Sequence, residues 1–137
     1  MTRFNITLQA GVDFVLQCLD KMWGGELFVP KIPSYRILDV AKAIAPECKH
    51  KIIGVRPGEK LHEEMITVSD ALNTVAFNDY YVIAPSIKLW SKTKFINESN
   101  SKFGKLCDEG FSYSSKNNNH VLTIDELRQL IKDNVSS

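Results

Sequence analysis

The sequence predicts an α/β fold, a small sheet with flanking helices, on three observations. Helix-spaced and strand-like apolar patterns alternate as far as residue 56. Proline or glycine punctuates each change of pattern. At 137 residues with 44% hydrophobic content, the chain can build an ordinary core, so one globular unit is expected.

The elements follow in order. In "TLQAGVDFVLQCLDKM", Leu8, Val12, Val15, Leu19 and Met22 fall at helical spacing, with Thr7 placed to cap the start and Gly24-Gly25 to stop it. "ELFVPKIP" reads as a short strand near 26–29, ended by Pro30 and Pro33; "ILDVAKAIAP" is a second helix closed by Pro46. "KHKIIGV" reads as a strand over 50–55 in the same small sheet. Val75, Phe77, Tyr81 and Ile83 mark an extended stretch turned at Asn78-Asp79, with Tyr80 and Tyr81 assigned to core. Residues 1–85 are therefore expected to form the α/β portion, and 86–137 an irregular tail. "SYSSKNNNH" is a polar loop, and a terminal helix over about 122–134 starts at a Thr123/Glu126 capping box before Ile124, Leu127, Ile131 and Val135. A structureless run of about 35 residues is improbable in a compact fold. Leu89, Trp90, Phe95, Phe103 and Phe111 are accordingly expected to cover a further portion of protein or a neighbouring subunit rather than this chain's own surface.

Charge and motifs exclude several functions. Seventeen Lys+Arg against sixteen Asp+Glu give a net charge of +1, so no whole-molecule field draws the chain to nucleic acid or to an anionic membrane. No apolar run approaches a membrane span, and a cytoplasmic setting is the default expectation. Cys18, Cys48 and Cys107, odd in number and widely spaced, are expected to be buried reduced thiols, not a disulfide framework or a zinc site. Neither G-x-G-x-x-G nor a Walker-type loop occurs. His62-Glu63 lacks the second histidine of a zinc protease motif, since Ile66 stands there, and no metal ligands are assigned. His50 and His120 are read as solvated, and no serine or cysteine triad has local support.

"IIGVRPGEKLHEEMI" is the stretch that invites chemistry. Pro57 fixes φ, Gly58 can take the positive φ of a tight turn, and Arg56 would be held outward where its planar guanidinium can grip a phosphate with charge-assisted bonds of roughly 1.5–3 kcal/mol each. Glu59 could orient that arginine or accept sugar hydroxyls. A Pro-Gly corner with a solvated salt bridge, worth about 0–1 kcal/mol, is the alternative, and spacing alone favours it.

Beyond pattern, "MTRFNITLQAGVDFVL", "GGELFVPKIPSYRILDVAKAIAPECK", "IIGVRPGEKLHEEMI" and "FNDYYVI", in that order, resemble the C-terminal part of the inverting UDP-N-acetylglucosamine 4,6-dehydratases. These are extended short-chain dehydrogenases/reductases that begin pseudaminic acid synthesis or feed capsule and O-antigen pathways. The resemblance extends over essentially the whole chain, including "FSYSSKNNN" and "LTIDELRQLI". It implies the substrate-binding portion of such an enzyme without its Rossmann cofactor domain. NADP and all catalytic residues would then belong to sequence outside this chain, and the chain alone would be inactive. It further implies a UDP-sugar substrate contacted by Arg56 and Glu59, with Thr2 and Arg3 as the next contacts near the phosphates. Lys60 is expected to be solvated and His62 to pack on a helix. Leu38 departs from the small hydroxyl expected to cap its helix, at about 1 kcal/mol. A homo-oligomer or a complementing Rossmann-domain chain is the implied partner, and a non-catalytic assembly module is the rival reading.

Overall fold

The structure is a computed structural model that describes residues 1–98 and 104–135. Its elements in chain order are β1 (Thr2–Phe4), α1 (Leu8–Leu19), β2 (Leu27–Pro30), β3 (Ser34–Arg36), α2 (Ile37–Ile44), β4 (Glu64–Ile66), a 3-10 turn (Val68–Asn73), β5 (Thr74–Ala76), β6 (Tyr80–Ile83), α3 (Lys92–Glu98), β7 (Lys105–Leu106), β8 (Tyr113–Ser114) and α4 (Ile124–Asn134). The α/β class is as expected. The single unit is not: the described chain forms two compact units, one from Met1–Thr7, Ile32–Glu64 and Ser114–Ser137, the other from Leu8–Lys31 and Met65–Tyr113. Strand pairing explains the interleaving. β1 finds its partner beyond residue 31, whereas β2 finds its partner beyond residue 65.

In the first unit β1 and β3 are antiparallel, with Thr2 opposite Arg36, Arg3 opposite Tyr35 and Phe4 opposite Ser34. α2 starts at once, with Arg36 as its N-cap and no side-chain cap bond. Arg36 Nε instead donates to Asp39 Oδ2 at 2.7 Å, which places a buried carboxylate in the first turn, where the helix dipole favours it. Leu38 therefore lies inside α2, 48% exposed, and no cap is lost there. α4 begins with the expected reciprocal box, Thr123 Oγ1 accepting from Glu126 N and Glu126 Oε2 accepting from Thr123 N. Ala43, Leu122 and Leu127 make the core between α2 and α4, with Tyr35, Val40 and Ile131 packed around them.

The strand expected over 50–55 is absent. Ile52 and Ile53 are 77% and 76% exposed, and Gly54 at φ 85° breaks the extended run. β-branched residues favour a strand only where a partner supplies the ladder, and none lies beside this segment among the described residues.

In the second unit β2, β6, β5 and β7 form a sheet in that order, antiparallel at every step. Pro30 ends the edge strand β2, where a missing N–H is tolerated. β5 and β6 make the hairpin expected at Asn78-Asp79, closed by Phe77 N donating to Tyr80 O at 2.9 Å. Val75, Phe77, Tyr80, Val82 and Phe95 form the core, with Phe14, Phe28, Trp90 and Ile96 against it. Tyr81 is half-buried, its ring 5.3 Å from that of Phe111.

The aromatics of 86–120 are placed differently from expectation. Phe95, on α3, is buried, with its ring 4.7 Å from that of Trp90 and 6.1 Å from that of Phe77. They cover the unit's own sheet, while Leu89 stays exposed and Phe103 lies outside the described residues. Bare apolar surface is instead found on α1, at Leu8, Val15, Leu16 and Leu19. The cysteines also depart from expectation. Cys48 is exposed beyond the end of α2, and Cys18 and Cys107 are only half-buried, burial pushing both thiols up from the ordinary value.

Candidate functional site

The first unit holds all four sequence-predicted site residues. Pro57 and Gly58 stand at the centre of a tight turn in which Arg56 O accepts from Glu59 N at 3.0 Å, with Gly58 at φ 80°. Proline at the second position and positive φ at the third are the marks of a type II turn, which only glycine or asparagine enters readily. Glu59 Oε2 accepts from Arg56 N at 3.3 Å and braces the same turn. The Arg56 side chain is exposed, and among the described residues its guanidinium has no hydrogen-bond or ion-pair partner. A free, outward guanidinium on a stiff corner is suited to a planar anion.

Arg3 is arranged in the opposite way. From β1 its Nη1 donates to Thr2 O at 2.7 Å and reaches Leu61 O at 3.4 Å; Nη2 donates to Lys60 O at 2.9 Å. Nε stands 3.2 Å from Glu63 Oε1, and Nη2 stands 3.9 Å from Glu59 Oε1. All three nitrogens of the Arg3 guanidinium thus face protein acceptors. Arg3 fastens the segment after the turn to β1, together with Thr2 N donating to Leu61 O at 2.9 Å.

Thr2 contributes a second fastening. Its Oγ1 lies 2.8 Å from His62 Nδ1 and 2.7 Å from Ser115 Oγ, and Ser115 in turn accepts from Glu63 N at 2.9 Å while its own N donates to Glu63 O at 2.8 Å. His62 does not lie on a helix, because Leu61 and His62 form a bend that leads into β4; it is the end of a side-chain chain. Desolvation first, and then the nearby charges of Lys116 and Arg3, push its pKa below the ordinary imidazole value. Sequence reading missed His62 in this role and missed Ser115 altogether. Ser115 is 113 positions from Thr2, and no local spacing could signal that pairing.

The structure therefore brings Thr2 and Arg3 beneath the Arg56–Glu59 turn and leaves Arg56 alone free. A separate cleft of about 450 Å³ in the second unit, lined by Asn73, Pro85, Leu89, Trp90 and Lys92 among others, includes none of these residues. Among the described residues no cluster of three or more His, Cys, Asp or Glu could hold a metal, and no helix is long and apolar enough to cross a membrane.

NADP, which the resemblance implies, does not fit the residues present. Gly24 and Gly25, at φ 111° and 83°, lead from a helix into a strand, whereas a pyrophosphate loop leads from a strand into a helix N-terminus. Gly25 is already explained by its positive φ, which residues with a side chain rarely adopt.

Comparison with known proteins gives the lineage. Two inverting UDP-N-acetylglucosamine 4,6-dehydratases of Campylobacter jejuni subsp. jejuni, from serotypes O:2 and O:23/36, are 50% and 48% identical to the chain over 133 and 132 residues. Each alignment covers 96% of this chain and 40% of the relative, so the chain spans less than half the length of these relatives. In structure the chain is similar to Pen from Bacillus thuringiensis, solved by X-ray methods, with a TM-score of 0.74 and 25% identity over 97% of this chain and 39% of that one. The family model described as polysaccharide biosynthesis protein matches residues 1–85. With more than half of its length matched in this way, the chain belongs to the polysaccharide biosynthesis protein family.

Proposed function

We propose that the chain supplies the nucleotide-sugar-binding part of an inverting UDP-N-acetylglucosamine 4,6-dehydratase that serves bacterial surface polysaccharide or pseudaminic acid synthesis. The observation that carries this reading is the contrast between the two arginines: Arg3 fastens the segment after the turn through all three of its guanidinium nitrogens, and Arg56 is held out by the turn with no partner among the described residues. Arg56 then grips the diphosphate, and Glu59, beside it, faces the hydroxyls of the sugar. Thr2 and Arg3 serve the same site from beneath, by fixing the turn against β1.

Oxidation, elimination and reduction belong in this reading to the portion of the relatives that lies outside the chain, together with NADP. Binding energy gathered at the diphosphate orients a substrate whose reacting carbons lie elsewhere. The chain by itself is then inactive and works joined to, or assembled with, a Rossmann-domain portion, as one enzyme or a homo-oligomer of it. The test is to exchange this chain for the corresponding segment of a Campylobacter jejuni relative and to assay dehydration of UDP-N-acetylglucosamine. Activity in the chimera, absent from the 137-residue chain alone, is the expected result. An inactive but folded chimera points to the second reading, a non-catalytic assembly module, which the bare apolar face of α1 favours.

A further inference from the structure

Proton counting gives His62 a role that its sequence context does not suggest. Ser115 is 1% exposed, so its hydroxyl cannot turn to solvent. Its oxygen already accepts the Glu63 N–H, and the remaining acceptor for its own proton is Thr2 Oγ1 at 2.7 Å. Thr2, receiving that proton, directs its own at His62 Nδ1, 2.8 Å away. A buried hydroxyl left without an acceptor is costly, so the arrangement that satisfies every proton is the favoured one. It runs one way, from Glu63 N–H through Ser115 and Thr2 to an unprotonated Nδ1.

We infer that this hydroxyl relay holds His62 as the neutral Nε2–H tautomer, and that His62 so held is a positioning residue for the Arg56–Glu59 turn. His62 is three residues from Glu59, and the backbone between them is held by Thr2 N at Leu61 O and by Arg3 at Lys60 O. A proton on Nδ1 reverses the last bond of the relay and leaves the Thr2 proton without its acceptor. Charged groups around the ring act in the same sense. Arg3 on β1 and Lys116 beyond β8 both oppose a second positive charge, and Glu59 and Glu63, which could have favoured one, are turned to Arg3. Charging His62 therefore loosens the fastening of the turn. This inference does not depend on what the turn binds.

Long-range proton–nitrogen NMR of the imidazoles in the 137-residue chain, followed from pH 8 to 5.5, tests it, with the His62 signals identified by their loss in His62→Asn. The expected spectrum shows an unprotonated, acceptor-type Nδ1 and a protonated Nε2 at high pH. The titration midpoint should fall below the ordinary value of about 6.5. Thr2→Ser should keep this signature, and Thr2→Val should lose it, giving mixed tautomers and a midpoint moved upward. In the same series the backbone amides of Arg56 and Glu59 should shift with the His62 midpoint in the wild type and stay flat in His62→Asn, which keeps an acceptor for Thr2 but cannot titrate. An Nδ1–H tautomer at high pH, or a signature unchanged in Thr2→Val, overturns the relay. Turn amides that ignore the His62 titration overturn the positioning role.

Discussion

Arg3 Nη2 donates to the carbonyl oxygen of Lys60 at 2.9 Å across a sequence separation of 57 residues. Arg3, with Thr2 beside it, thereby holds to β1 a segment that has no ladder of its own among the described residues. Hydrogen bonds to a charged group contribute about 1.5–3 kcal/mol. The guanidinium is about one-fifth exposed, and screening reduces that contribution. Arg3→Ala should lower stability by about 1–3 kcal/mol in urea titration. Arg3→Lys should recover only part, because a point charge cannot hold acceptors on both edges of a fork. Arg56→Ala, made at a side chain with no partner among the described residues, should leave stability within about 0.5 kcal/mol. Equal losses at the two positions would show that the arginines do not divide the work as described.

The core of the second unit gives a comparison on one short segment. Phe95 is 1% exposed among Trp90, Phe77 and Trp23, whereas Leu89 is 62% exposed. Phe95→Ala should cost about 3–5 kcal/mol and Leu89→Ala less than about 0.5 kcal/mol, as read from thermal and urea unfolding. A large effect at Leu89 in the isolated chain would mean that the 86–98 segment packs otherwise.

What the sequence disclosed and what it hid divide along physical lines. Features whose cause is local were legible. The Thr123/Glu126 box, the Asn78-Asp79 turn and the Pro57-Gly58 corner each depend on residues a few positions apart, and each is present. Features that require a distant partner were not. "KIIGV" has the composition of a strand, but composition cannot supply a neighbour, and the segment stands unpaired. Phe95 and Trp90 looked like exposed aromatics because no periodicity surrounds them, yet a seven-residue helix is enough to turn Phe95 inward, and Trp90, just before that helix, packs against it. At the site, the Arg56 turn could be read from its own five residues, whereas the Thr2–Ser115–His62 chain is made by tertiary contact alone.

The α4 cap offers a pH-dependent test. Backbone and side-chain hydrogen bonds from Thr123 hold the Glu126 carboxyl below its usual value. A depressed carboxylate contributes its stability above the unfolded value of about 4.3 and loses it as pH falls through the lower folded value. Thr123→Ala should therefore destabilise the chain at pH 7, and do so less as pH falls below about 4. A cost that does not change between pH 7 and pH 3 would mean that the reciprocal bond is not formed.

Amides of residues 51–55 have no backbone acceptor among the described residues. Hydrogen exchange of the isolated chain should find them unprotected, beside protected amides in β5 and β6. In the chimera with a dehydratase relative they should gain protection, as a ladder forms against the added portion. Protection already present in the isolated chain would mean that a strand forms without that partner.

The central claim, that Arg56 is the ligand-facing arginine and Arg3 the one that holds it in place, is tested most directly by calorimetric titration of UDP into the folded chimera and its variants. Arg56→Ala should weaken UDP binding by about 2–4 kcal/mol, the range for removing a desolvated charged partner. Arg56→Lys should recover part of that loss, and Glu59→Gln should leave UDP affinity nearly unchanged while weakening UDP-N-acetylglucosamine. A loss at Arg56→Ala no greater than that at the surface control Arg128→Ala would contradict the claim and return the turn to a solvated Pro-Gly corner.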